Sequence, residues 1–209
     1  MSKPNVFVVD DDHSVRDSLQ LLLEASGYAV RSFSSGRDFL KELPSLPFGC
    51  LIVDVQMPEL DGLGLQRRLA ELEITLPVVV ITAYGDVATA VGAMKAGAID
   101  FVEKPFSREA IIASVQLALS QRSRPSVSDR TREVIEARLK LLSPREREVL
   151  DGLVAGQPNK VIAYNLTLSI RTIEIHRARV MDKMQAGSLS ELVRFALAAG
   201  IEPISKHSF

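Results

Sequence analysis

The chain has 209 residues, 46% hydrophobic and 24% charged, with a formal net charge of −1; this fits an ordinary soluble globular protein of one large or two small domains. No apolar run approaches the ~20 residues of a membrane span, and the N-terminal stretch lacks the apolar core of a signal peptide. A lone cysteine, Cys50, excludes an intrachain disulfide and points to a reducing cytoplasm.

The charge is unevenly placed. Residues 1–120 carry 10 Lys and Arg against 16 Asp and Glu, whereas residues 121–209 carry 15 against 10. Two readings fit: a basic second module with a polyanionic partner, or two modules with merely solvated charged faces.

In chain order, "NVFVV" (5–9), "AVRSF" (29–33), "CLIV" (50–53), "PVVVIT" (77–82) and "DFVE" (100–103) read as strands. Between and after them, 14–26, 36–43, 61–72, 86–97 and 108–122 carry helical spacing. Five alternations predict an α/β doubly wound five-stranded parallel sheet with helices on both faces, spanning residues 1–120. A linker is expected over 121–138, with helical pattern beginning at 133. An all-α module of four helices follows over 139–204. Ser143, Pro144 and Glu146 start its first helix with a capping box, and Ser188 with Glu191 predicts a second box at its last. Between them, 159–166 and 169–184 flank the short turn "TLS" and form a helix-turn-helix.

Ligands of a doubly wound sheet bind beyond the carboxyl ends of the strands. There the sequence puts Asp10, Asp11 and Asp12, then Asp54, then Thr82, then Glu103, Lys104 and Pro105. Converging carboxylates repel unless a cation sits among them, and hard oxygens suit Mg²⁺ or Mn²⁺. Lys104 and Thr82 supply a cation and a donor for a phosphoryl group. Asp12 is expected to cap or solvate the turn into the first helix.

"VVDDD", "LIVDVQMPELDG", "VVVITAYGD" and "GAIDFVEKPF" resemble, in order and spacing, the flavodoxin-like receiver domain of two-component response regulators. The resemblance implies that Asp54 accepts a phosphoryl group from a cognate histidine kinase. It also implies that Asp10, Asp11, Asp54 and the Gln56 carbonyl hold the metal, and that Lys104 and Thr82 engage the phosphoryl group. Phe101 matches the aromatic that swings inward on activation, and Lys104-Pro105 a cis bond. Gln56 and Tyr84 border the site and are expected to tune hydrolysis. Aspartate-nucleophile phosphatases need a second acid two residues after the nucleophile; after Asp54 that place is taken by Gln56, and the Asp10 and Asp12 match lacks the hydrophobic-Thr continuation, so a turnover enzyme is not expected.

In the helix-turn-helix, Ile173, His176, Val180 and Met184 form one stripe, expected to face the core. Arg171, Glu174, Ile175, Ala178 and Asp182 form the opposite one. Lys160, Arg171, Arg177 and Arg179 can reach phosphates. A four-helix module also suits a protein-binding bundle. However, "LSPREREVLDGLVAGQPNKVIAYNLTLSIRTIEIHRARVMDKM" resembles the LuxR/NarL type of DNA-binding domain, and the two halves together resemble FixJ-like response regulators. That resemblance sets Thr172, Glu174, Ile175 and Ala178 against double-stranded DNA. Many relatives carry lysine where Glu174 stands; a glutamate either accepts from cytosine N4 or pairs with a neighbouring arginine. The resemblance further implies a homodimer on phosphorylation through residues 86–106, and contact with RNA polymerase. The stripe Leu189, Leu192, Val193 and Leu197 reads equally as core or as a second dimer contact.

Overall fold

The computed structural model describes residues 3–83, 87–120 and 129–201. The chain divides into two compact units: Met1–Tyr84 with Ala96–Ser123, and Gly85–Lys95 with Arg124–Phe209.

The strands are β1 (Asn5–Val9), β2 (Ala29–Phe33), β3 (Gly49–Asp54), β4 (Val78–Ala83) and β5 (Asp100–Lys104). They alternate with helices α1 (His13–Ala25), α2 (Gly36–Glu42), α3 (Gly62–Glu71), α4 (Val87–Lys95) and α5 (Arg108–Ser120). All pairings are parallel, in the order β2-β1-β3-β4-β5. β1 and β3 are apolar along nearly their whole length because both faces are covered. On one face Val6, Val8, Cys50, Ile52, Val79 and Ile81 pack with Leu19 and Leu23 of α1 and Ile111 and Val115 of α5. On the other, the rings of Phe7 and Phe39 lie 6.1 Å apart, and Phe33 meets Phe39 edge-on at 5.3 Å.

The strand order reverses direction between β1 and β3, which opens a crevice at their carboxyl ends. Val9 stands beside Val53, so Asp10 and Asp54 are the next residues along two adjacent strands. Asp54 pairs with Ile81, which brings Thr82 to the same edge, and Ala83 pairs with Lys104. The register alone therefore gathers the polar residues.

Of the expected linker, 121–128 lie outside the described residues, while Asp129–Leu139 form α6. The four helices expected of the second module follow as α7 (Pro144–Val154), α8 (Asn159–Leu166), α9 (Ile170–Met184) and α10 (Leu189–Ala198). Ser143 and Glu146 complete a reciprocal capping box on α7. The second box differs from expectation. Ser188 Oγ accepts from Glu191 N–H at 3.2 Å, but the Glu191 carboxylate turns to the N–H of Gly187 at 2.8 Å. α8 ends with Thr167 in the left-handed region (φ 57°), which reverses the chain into Ser169, the N-cap of α9. At Gly152 a Cβ would lie 2.9 Å from the Ile162 side chain, so a larger residue would have to push Ile162 aside where α7 meets α8.

Among the described residues, no helix is long and apolar enough to cross a membrane.

Candidate functional site: an acidic sheet edge and a helix-turn-helix

At the carboxyl end of the sheet, Asp10 is 1% and Asp54 6% exposed, while Asp11 is open to solvent. One carboxylate oxygen from each of the three lies within 4.8 Å of the others. Lys104 Nζ bridges two of them, 3.0 Å from Asp10 Oδ2 and 3.1 Å from Asp54 Oδ1. The remaining oxygen of Asp10 accepts the Asp12 N–H at 2.9 Å, which fixes the rotamer of the buried acid. Burial pushes the Asp54 carboxyl above its ordinary value; Lys104 counters this, and the charges of Asp10 and Asp11 add to it. Burial works against the Lys104 ammonium, but its bonds to Asp10 and Asp54 outweigh that and raise its pKa.

Thr82 Oγ1 is buried and has no hydrogen-bond partner among the described residues. A buried hydroxyl left unpaired costs on the order of 1–3 kcal/mol, so it marks a position waiting for an acceptor. Gln56 is exposed on the turn after β3, Phe101 is buried in β5, and Lys104-Pro105 is cis. Tyr84 and Asp86 fall outside the described residues.

Asp12 has a separate task. It is the N-cap of α1: its side chain accepts the Ser14 N–H at 2.8 Å, which lowers its pKa. Arg16, one turn into α1, is a residue that strand-end reasoning passes over. Its Nη1 donates to the carbonyls of both Asp10 and Asp11, at 2.8 and 2.9 Å, and so braces the loop that carries the acids. The sequence holds no signal for this, because the acceptors are backbone atoms.

In the second unit, Ile173, Val180 and Met184 of α9 are fully buried and His176 is half-buried, its Nδ1 without a partner among the described residues. Arg171, Glu174, Ile175, Ala178, Arg179 and Asp182 are exposed, and so is Lys160 on α8. The two stripes therefore separate as the spacing predicts. Thr172 is half-buried, its N–H bonded to Ser169 Oγ at 3.1 Å and its hydroxyl 2.8 Å from the same atom, so it belongs to the cap as well as to the outer face. Arg177 is half-buried. Glu174 is exposed and makes no ion pair among the described residues. Leu192 and Val193 are fully buried, Leu189 nearly so, and Leu197 is half-buried.

An apolar inner stripe fixes α9 on α7, and a polar outer stripe faces away. A buried acid cluster at a parallel-sheet edge, in one chain with such a helix pair, defines a transcription regulator switched by phosphorylation. Residues 6–116 match the response regulator receiver domain, and residues 140–196 match the bacterial regulatory proteins of the luxR family. The chain belongs to the two-component response regulators that join these two domains. It is 47% identical over 200 residues to the transcriptional regulatory protein FixJ of Bradyrhizobium diazoefficiens, covering 96% of this chain and 98% of that one. It is 41% identical to the response regulator protein TodT of Pseudomonas putida, covering 90% and 83%. Among solved structures, full-length FixJ from B. japonicum shares 46% identity at a TM-score of 0.57, with 97% and 100% covered.

Proposed function

We propose that Asp54 is the phospho-acceptor and that its modification promotes dimerisation and sequence-specific DNA binding. The convergence of Asp10, Asp11, Asp54 and Lys104 at the sheet edge that also carries the unpaired Thr82 hydroxyl supports this reading. An Asp54 carboxylate oxygen attacks the phosphorus of a phosphohistidine on the kinase or of a small acyl phosphate. The new O–P bond forms as the P–N (or P–O) bond breaks, and the electron pair leaves with the imidazole or the carboxylate. Lys104, already beside Asp54 Oδ1, holds the acceptor ionised and follows the added charge. Thr82 Oγ donates to a phosphoryl oxygen and gains the partner it lacks.

The donor set, three carboxylates with hard oxygens in reach of one point, fits a divalent cation of the Mg²⁺ or Mn²⁺ kind. Asp10, Asp11, Asp54 and the Gln56 carbonyl are the residues that would hold it. Bound there, it would neutralise charge that develops on the transferred group. Phe101 serves as the switch aromatic, and residues 86–106 supply the dimer contact.

The output rests on α9. Thr172, Glu174, Ile175 and Ala178 face base edges, while Lys160, Arg171, Arg177 and Arg179 hold phosphates. Two half-sites read by two copies then require a dimer. RNA polymerase is the further partner and the cytoplasm the site of action. The chain acts as a stoichiometric switch rather than a turnover enzyme. Gel shifts with and without acetyl phosphate test switch and output together. Binding should tighten with the donor in the wild type but not in Asp54→Ala; equal tightening in both would refute the assignment.

A further inference from the structure

The C-terminal end of α9 is held in an unusual way. The helix stops at Met184, and Gln185 turns into the left-handed region (φ 51°). The last carbonyls of a helix have no partner within it. That of Met184 accepts from Arg138 Nη1 at 3.1 Å, and Arg138 Nη2 donates to Gln185 Oε1 at 2.5 Å. Arg138 belongs to the last turn of α6, and its guanidinium also lies 5.9 Å from the centre of the Phe195 ring of α10.

The contact is returned in kind. Lys183, in the last turn of α9, donates to the carbonyl of Leu141, just past the end of α6, at 3.1 Å. The same ammonium holds Glu146 of α7 at 2.6 Å. The end of α9 thus meets a cation supplied by α6, the sign its dipole favours, while Lys183 ties α9 to the turn that follows α6. Arg138 precedes residues 140–196, the span matched to the luxR family.

Arg138 directs both terminal guanidinium nitrogens to Met184 and Gln185. Met184 and Thr172 are about 18 Å apart along the helix axis at 1.5 Å per residue. Over that length a tilt of about 5° at the capped end displaces Thr172 by roughly 1.5 Å, enough to break a base contact. The bidentate fork over an aromatic ring resists such a tilt, and a lysine cannot reproduce it.

We propose that Arg138 is a positioning residue for DNA reading: the cap it places on α9 makes α6 a working part of the DNA-reading unit and fixes the axis of α9. This rests on the reading that α9 enters the major groove. The test uses the full chain with acetyl phosphate, a DNA fragment selected by the wild type, and a random-sequence fragment. Affinities are measured at several salt concentrations beside thermal unfolding. Arg138→Ala should bind the selected fragment about tenfold more weakly, bind random DNA within about twofold of wild type, and keep the salt slope. Arg138→Lys should recover part of the selective loss. Equal loss on both DNAs with a slope smaller by about one would make Arg138 a phosphate contact and overturn the proposal. Unchanged selective binding would overturn it too. If the alanine variant does not fold, Arg138→Lys decides: a selective loss of about threefold supports the proposal, and wild-type binding to both fragments defeats it. Failure of the wild type to select any fragment would instead strike the reading that α9 recognises DNA.

Discussion

The Lys104 ammonium stands 3.1 Å from Asp54 Oδ1 and holds that buried carboxylate in place. Among the described residues it is the one side-chain cation paired with Asp10 or Asp54; Arg16 spends its donors on backbone carbonyls. Removing it leaves two carboxylates, 1% and 8% exposed at the side chain, facing each other. The Lys104→Ala variant should therefore melt below wild type in EDTA, and Mg²⁺ should raise its melting temperature more than that of the wild type. Scanning calorimetry with and without Mg²⁺ checks this. An equal Mg²⁺ increment in both would show that the lysine is not compensating the acids.

Asp11 is the exposed member of the acid cluster and Asp10 the buried one, already engaged with Lys104 and the Asp12 N–H. Asp11 has the freer oxygens for a cation. Replacing it with Asn keeps the shape and removes one charge, so divalent binding should weaken by about tenfold or more. Titration of Mn²⁺ followed by electron paramagnetic resonance reads this without any phosphodonor. Acetyl-phosphate labelling should fall in parallel, and EDTA should abolish it in the wild type.

Gly62 opens α3 directly against the end of β3, and a Cβ there would be driven into the carbonyl oxygen of Asp54. The neighbour is backbone and cannot rotate away. Gly62→Ala should displace the Asp54 main chain, lowering labelling at least tenfold and stability by about 1–3 kcal/mol. Urea unfolding and a labelling time course check the two effects separately.

Much of this was open to sequence reasoning, for a physical reason. Strands buried on both faces leave unbroken apolar runs, so β1, β3 and β4 announce themselves, and the polar residues that end them must gather at one edge. The stripes of α9 separate for a similar reason, since burial of Ile173, Val180 and Met184 follows helical period. What stays hidden is contact with backbone atoms or between distant segments. Arg16 on the Asp10 and Asp11 carbonyls and Arg138 on Met184 leave no pattern in composition or spacing. Glu191 fits the spacing of a capping box, yet chooses Gly187, because a carboxylate one turn into a helix can reach either of two adjacent N–H groups.

Glu146 gives the second unit a defined response to acid. The Lys183 ammonium, with the Ser143 N–H, holds its carboxyl down at about 2 from an ordinary 4.5. Because the folded value is the lower one, this stabilisation is complete above about pH 4.5 and is lost as pH falls toward 2. Lys183 is itself 36% exposed, and solvent screening reduces the effect to on the order of 2 kcal/mol. Glu146→Gln should flatten the stability of the second unit between pH 4.5 and 3 relative to wild type. Urea melts across that range, followed by circular dichroism, measure the difference.

Arg179 and Glu174 sit on the exposed face of α9, but they should fail in different ways. A phosphate contact contributes the same energy on every sequence, through released counterions. Arg179→Ala should therefore weaken binding to all DNAs alike and reduce the salt slope by about one. Glu174 has no cation partner among the described residues, and a carboxylate near phosphates costs affinity unless a base donates to it. Reading a cytosine N4 amine supplies that donor and is worth about 1–3 kcal/mol of discrimination. Glu174→Ala should thus leave random-sequence binding equal or tighter, while its selected motif loses preference at a single base pair. Selection from a randomised pool with wild type and variant decides the matter: an unchanged motif would place Glu174 outside the readout.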